Sequence, residues 1–243
     1  MFPIGDDNSD RAITPIVNYV FIGLNILVFV LLQGLGGNDS FSYAFSLVPK
    51  EITSGVDLTG LQVVRDSFGN TGEVQHFPTP LPVYFNFLSS MFMHGSIMHI
   101  FGNMLFLWIF GDNLENLLGH LRFALFYIVC GLAAAVAQIV MDTDSIIPML
   151  GASGAISGVL GGYILLFPTR RVRALIFNVF TTVPAYVALG LWIGYQLVLG
   201  YLTPSGSGGV AYAAHIGGFI AGLLLIKVFA FGTKAEDVKP LRG

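Results

Sequence analysis

The sequence predicts an all-α membrane protein, a bundle of six transmembrane helices with both termini cytoplasmic. Three observations predict it. Only 10% of the 243 residues are charged, while 54% are hydrophobic and the mean hydropathy is +0.76; an ordinary soluble domain carries about 25% charged residues. The apolar residues gather into charge-free stretches of about the 20 residues that a helix needs to cross the hydrocarbon core. The Lys and Arg side chains fall unequally on the two sides that those stretches define. A soluble fold of this length needs a charged shell, which eleven Lys and Arg with fourteen Asp and Glu cannot supply. A water-soluble globule, a disordered chain and a nucleic-acid binder built on a basic face are thereby excluded. The single Cys130 cannot form an intrachain disulfide.

The spans follow in order. The first has its apolar centre at 16–32, behind a short acidic segment without a signal-peptide cleavage pattern, and is read as retained. The second is apolar from about 91 to 110, the third is 123–141 and the fourth 145–169. The stretch 174–226 is too long for one span and breaks at the turn-forming run Thr203-Pro204-Ser205-Gly206-Ser207-Gly208-Gly209. That gives a fifth span at about 174–202 and a sixth at about 210–231, where Lys227 can snorkel to the interface. The domain organisation is then a short cytoplasmic segment 1–15, a six-span domain 16–231 with an outside loop at about 34–90, and a cytoplasmic tail 232–243. With the N-terminus inside, Arg11, Arg122, Arg170, Arg171, Arg173, Lys227, Lys234, Lys239 and Arg242 are cytoplasmic, against Lys50 and Arg65 outside. Nine against two orients the chain.

No Asp, Glu, Lys or Arg falls in the middle of these spans, which speaks against a proton-coupled transporter or pump. There is no His-Glu-x-x-His run for zinc, so neither a metal nor a cofactor is expected. Three polar places stand out. Gly151-Ala152-Ser153-Gly154 offers an exposed serine nucleophile with glycines that let a backbone approach, and Pro148 before it suits a helix start. Taken alone, the same stretch reads more readily as helix packing, because Gly154/Gly158 and Ser157/Gly161 are small-xxx-small pairs. Ala214-His215-Ile216-Gly217-Gly218 offers an imidazole base for that serine, or a histidine bonded between helices beside a Gly218/Gly222 packing face. His99 and Asn103 stand one turn apart on one helix face. Both can donate hydrogen bonds to a developing oxyanion or simply join helices. The second, fourth and sixth spans all start from the outside. Counted at 1.5 Å per residue, His99, Ser153 and His215 share a level about 8–12 Å below the outer surface, with Asn103 about 6 Å deeper.

In order, spacing and topology these residues resemble the rhomboid intramembrane serine proteases of bacteria. The matching pieces are His94-x-x-x-x-His99-x-x-x-Asn103, Gly-Ala-Ser153-Gly and Ala-His215-x-Gly-Gly, with Glu115 and Gly119 in a short cytoplasmic turn after the second span. The resemblance covers about 91–231. It implies a Ser–His dyad with Ser153 as nucleophile and His215 as base, supported by Gly151, Gly154 and Ser157. The oxyanion would be held by the Ser153 backbone N–H with His99 and Asn103, His94 would help the hydrogen-bond network of the second span, and Glu115 would hold the inner end of spans two and three. The fifth span, with Pro184, matches the element that gates lateral substrate access in the family. The implied activity is endopeptidase cleavage of single-span membrane proteins within or near the outer end of their transmembrane helix. The implied setting is a bacterial inner membrane with the active site facing outward, and the partners are transmembrane substrates and the lipid bilayer, with no nucleic acid. The sequence departs from the family pattern at Ser157, where members carry a Tyr that stacks on the catalytic His, and it has no Trp-Arg pair in the first loop. The alternative reading is an inactive rhomboid-like protein that binds membrane-protein clients. A channel or transporter would need an intramembrane charge or an inverted repeat, and neither is seen.

Overall fold

A computed structural model describes residues 2–65, 69, 71–176, 179–203 and 209–233. The 204–208 part of the turn-forming run and the tail cations Lys234, Lys239 and Arg242 lie outside the described residues. A strand β1 (Phe2–Asp6) precedes α1 (Ile16–Leu27), which continues as a π-helical turn to Leu32. Then come α2 (Asp39–Ala44), α3 (Pro49–Ser54), the strands β2 (Gly60–Arg65) and β3 (Thr71–His76), and α4 (Asn86–Ser89). The helix α5 (Ile97–Phe106) runs through a second π-helical turn into α6 (Asp112–Leu118). After it come α7 (His120–Met141), α8 (Ser153–Leu166), β4 (Arg171–Ile176), β5 (Val179–Pro184), α9 (Ala185–Leu202) and α10 (Tyr212–Phe229).

Among the described residues, four helical stretches are long and apolar enough to cross a membrane: Ile97–Leu118, His120–Met141, Ala185–Leu202 and Tyr212–Phe229. Ile16–Leu32 and Ser153–Leu166 are apolar helices too, but shorter. At 1.5 Å per residue the fourteen residues of α8 span about 21 Å, short of the roughly 30 Å hydrocarbon core. The residues before it, 145–152, are not helical. They are held instead by Leu47, whose N–H and C=O pair with Met149 at 2.9 and 2.8 Å, and by Ser90, whose carbonyl accepts the Gly151 N–H at 2.8 Å. Irregular backbone at such a place is stable only where protein supplies its hydrogen bonds.

Five expectations are corrected. The fold is not purely helical: β1, β4 and β5 form an antiparallel three-stranded sheet, and β2 with β3 forms a hairpin. In β4, Val172 and Ala174 are buried while Arg171 and Arg173 are exposed, the alternation of a strand with one covered face. The fifth helix therefore starts at Ala185, not near 174, and Pro184 ends the strand that leads into it. The second helix starts at Ile97, capped by Ser96, whose hydroxyl accepts the His99 N–H at 3.1 Å. The run expected as a turn after it is helical through Leu118, so Asp112 and Glu115 lie in the last turns of that helix, which Gly119 ends at φ +76°. The fourth helix starts at Ser153, so Pro148 lies ahead of the helix rather than at its first turn.

The helix α8 is the axis of the bundle, and every residue from Gly154 to Tyr163 is buried. Its glycines lie between α7 and α10: a Cβ at Gly154 or Gly158 would meet Ala134 or Cys130 of α7, while the α10 glycines press on the α8 backbone. A Cβ at Gly161 would overlap the Phe219 carbonyl, one at Gly218 the Gly154 carbonyl, and one at Gly222 the Gly158 carbonyl. The packing reading of these small residues holds, and it is what lets two backbones meet beside the candidate site. At one end of the bundle Glu115, fully buried, accepts the N–H groups of Val17 and Asn18 at 2.9 and 2.7 Å and faces His120 Nδ1 at 2.5 Å. It thus ties the first turn of α1, as well as the start of α7, to the end of α6. Arg11 and Arg170 meet Asp112, Asp10 and Asn113 at that same end. Lys50 pairs with Asp144 beyond the far end of α7, about 33 Å away by helix length.

Candidate active site

Ser153 is the first residue of α8, so the N–H groups of the opening turn have no partners within the helix. Gly151 precedes it at φ +137°, a conformation open to glycine, and its N–H is fixed on Ser90. A methyl group at 151 would touch both His99 Nε2 (2.9 Å) and Ser153 Oγ (3.5 Å), so the imidazole and the hydroxyl border one small space. About one turn before Gly218, α10 brings His215 across to this point. Its Nε2 is 2.7 Å from Ser153 Oγ, and the side chain is 9% exposed. An imidazole at that distance can accept the hydroxyl proton as the oxygen attacks.

The donors expected from α5 face the same place. His99 and Asn103 line a cavity of about 770 Å³ together with Ser153 and His215. The Gly95 N–H points to His99 Nδ1 at 3.4 Å, which leaves Nε2 to carry the proton and donate. Asn103 is 8% exposed, and its Nδ2 has no hydrogen-bond partner among the described residues. A buried amide N–H left unpaired costs about 1–3 kcal/mol, and an oxygen held in the cavity would relieve that. The walls beside these groups are apolar, with Met98, Phe106, Ile156 and Trp192 among them.

One expectation is revised. The His94 ring does not join a hydrogen-bond network: both its nitrogens are buried without a partner, and the ring packs edge-on against His99 with centroids 5.0 Å apart. Its main chain is what is clamped, since the Gln33 amide accepts the His94 N–H and donates to its carbonyl, both at 2.9 Å. Ser157 donates its hydroxyl to the Ser153 carbonyl at 2.6 Å. It does not reach His215 as a Tyr could. The neighbours of His215 come from α9 instead: Gln196 Oε1 is 2.8 Å from Nδ1, and the Trp192 ring is tilted against the imidazole with centroids 5.9 Å apart. Sequence reasoning passed over both. The available signal was that Gln196 is the one amide in an otherwise apolar helix, one turn from Trp192 on the same face.

A family model, the Rhomboid domain, matches residues 82–231. Over 226 residues the chain is 27% identical to Rhomboid protease GluP of Bacillus subtilis, covering 90% of this chain and 37% of that protein. Over 144 residues it is 31% identical to Rhomboid protein 1, mitochondrial, of Saccharomyces cerevisiae, covering 56% of this chain and 39% of the relative. RHOMBOID-like protein 4 of Arabidopsis thaliana is 33% identical over 138 residues, 57% of this chain and 32% of the relative. The chain thus spans well under half the length of these curated relatives. The family match takes in more than half of the chain and every cavity residue described above from Met98 to His215, and the chain belongs to the rhomboid family.

Proposed function

We propose that this rhomboid-family, multi-pass membrane protein is an intramembrane serine endopeptidase that cleaves single-span membrane proteins near the outer end of their transmembrane helix. The observation that carries this reading is the 2.7 Å approach of Ser153 Oγ to His215 Nε2 at the floor of a cavity that also holds the His99 and Asn103 side chains. In the proposed reaction Ser153 Oγ attacks the scissile carbonyl carbon and its proton passes to His215 Nε2. The carbonyl oxygen becomes an oxyanion facing the Ser153 N–H, His99 Nε2–H and Asn103 Nδ2–H. The C–N bond then breaks, and the amine leaves with the proton from Nε2. Water, deprotonated by the freed imidazole, hydrolyses the acyl-enzyme and regenerates both groups. No acidic third member is required by this scheme.

The proposed topology has six spans, both termini cytoplasmic, a plasma membrane of bacterial type, and the cavity open to the outside. Its support is the unequal sharing of Lys and Arg and the convergence of Arg11 and Arg170 at the end of the bundle opposite Lys50. The body 16–231 would then act as one unit, with 34–90 as the outside loop. A substrate helix hides its carbonyls in its own hydrogen bonds, so segments that unwind easily are the preferred substrates. The test is cleavage of a tagged single-span protein in liposomes, wild type beside Ser153→Ala. Cleavage by the wild type alone supports the reading. Cleavage by neither, across substrates with helix-breaking residues, transfers it to a non-catalytic binder of membrane proteins.

A further inference from the structure

We infer that Gln196 is a positioning residue for His215: the α9 amide fixes the imidazole tautomer that can act as base on Ser153. The inference rests on the Ser153–His215 reading above and adds a group that no motif contains. The two ring nitrogens have opposite tasks. Nε2 faces Ser153 Oγ at 2.7 Å, and it can take the serine proton only if it is unprotonated. Nδ1 must then carry the ring hydrogen. Gln196 Oε1, an acceptor, lies 2.8 Å from Nδ1 and selects that tautomer. With the amide turned the other way, an N–H₂ group would face Nδ1 and favour hydrogen on Nε2, which disables the base.

The placement on α9 gives the contact a further consequence. Only four residues of that helix are buried: Ala185, Ala188, Leu189 and Gln196. The first three belong to its opening turns, so Gln196 is the buried residue of its second half. Trp192, one turn before it, tilts against the His215 ring and also approaches Phe106 and Phe219. The second half of α9 is therefore seated on the bundle through the base itself. When that half of α9 is seated, His215 is oriented; when it is displaced, the imidazole loses its tautomer-selecting partner. The other titratable side chains bordering the same cavity are His99 and Tyr43, and no carboxylate does so among the described residues. Among the described residues, the neutral amide of Gln196 is the one oxygen acceptor at Nδ1.

The experiment uses the full chain in detergent and measures the rate at which a fluorophosphonate labels Ser153, peptide cleavage, and the thermal transition. Gln196→Leu keeps the size of the side chain and removes the acceptor; Gln196→Glu keeps an acceptor and adds charge. The expected result is a loss of about ten- to a hundredfold in labelling and kcat for Gln196→Leu, with KM little changed. That is smaller than the loss on spoiling an ionised partner in a triad. Gln196→Glu should recover most of the rate, with the acid limb of its pH profile moved upward by about one pH unit or more. Wild-type labelling with an undiminished Gln196→Leu rate overturns the inference. So does a Gln196→Glu variant that is as slow as Gln196→Leu with an unmoved acid limb, the signature of a purely structural contact. If Gln196→Leu lowers the thermal transition, the Gln196→Glu comparison decides alone. A wild type that is not labelled at Ser153, while a general serine hydrolase control is, removes the dyad reading itself and is distinct from all of these.

Discussion

Ser153 and His215 act as a unit in the proposed reaction, and that has a kinetic signature. Ser153→Ala and His215→Ala should each abolish cleavage, and the double variant should be no slower than either single one. Additive losses in a kcat comparison would mean that the two side chains contribute separately. Asn103→Ala removes a buried donor that has no other partner among the described residues. It should lower kcat by about ten- to a thousandfold with a small change in KM; an unchanged kcat reduces Asn103 to a contact between helices. These residues were legible in the sequence because each has a polar group that is costly at membrane depth and stands in a recognisable neighbourhood of glycines or histidines. Gln196 was not. A single amide 19 positions before His215 carries no spacing rule, since its meaning depends on how α9 leans on α10. The His94 ring misled for the opposite reason: motif position suggested a hydrogen bond, whereas packing against His99 leaves both nitrogens bare.

Between helices, the glycines divide into two kinds that composition alone does not separate. Gly222 of α10 touches the Gly158 backbone of α8, so an added methyl group there must push two helices apart. Gly190 of α9 has nothing within 4 Å of the place where a Cβ would stand. Gly222→Ala should therefore destabilise the protein by about 1–3 kcal/mol through overpacking. Gly190→Ala should be neutral or stabilise it by up to about 1 kcal/mol through helix propensity. Thermal denaturation of the two variants in the same detergent decides, and equal transitions would contradict the close α8–α10 contact. The apolar helices were legible because a run of about 20 uncharged residues has few other physical explanations. Their ends were less so. Residues 174–184 are uncharged and were counted into the fifth span, but the alternation that begins at Arg171 belongs to a strand, and β4 takes partners from both β1 and β5. The strand β1 was invisible because five residues near the start of a chain have no periodicity long enough to read, and its pairing partner lies some 170 positions away.

That strand closes one end of the bundle, and it does so through an acid. Asp6 ends β1 opposite Val172 of β4. Its Oδ2 accepts the Tyr163 hydroxyl of α8 at 2.5 Å and the Asn113 amide of α6 at 2.6 Å. One carboxyl group thus joins the N-terminal strand to the ends of two helices and, through β4, to the hairpin that leads into α9. Burial raises its pKa from 3.8 to about 7, the hydrogen bond from Tyr163 opposes the rise, and nearby Asp112 adds to it. The ionised form therefore costs the folded protein roughly 4 kcal/mol relative to the unfolded chain. Below pH 4 the carboxyl is protonated in both states and carries no penalty. Between about 4 and 7 the folded protein keeps a proton that the unfolded chain has released, so stability falls as pH rises through that window and levels off above it. Asp6→Asn keeps an oxygen for Tyr163 and Asn113 and cannot ionise. The thermal transition of the wild type should drop relative to that of Asp6→Asn as pH is raised from 5 to 8, with the two nearest each other at the acid end. Curves that stay parallel across the range would mean that Asp6 ionises at no cost. The strand would then be held by its backbone ladder and by the Arg11 and Arg170 contacts rather than by this buried acid.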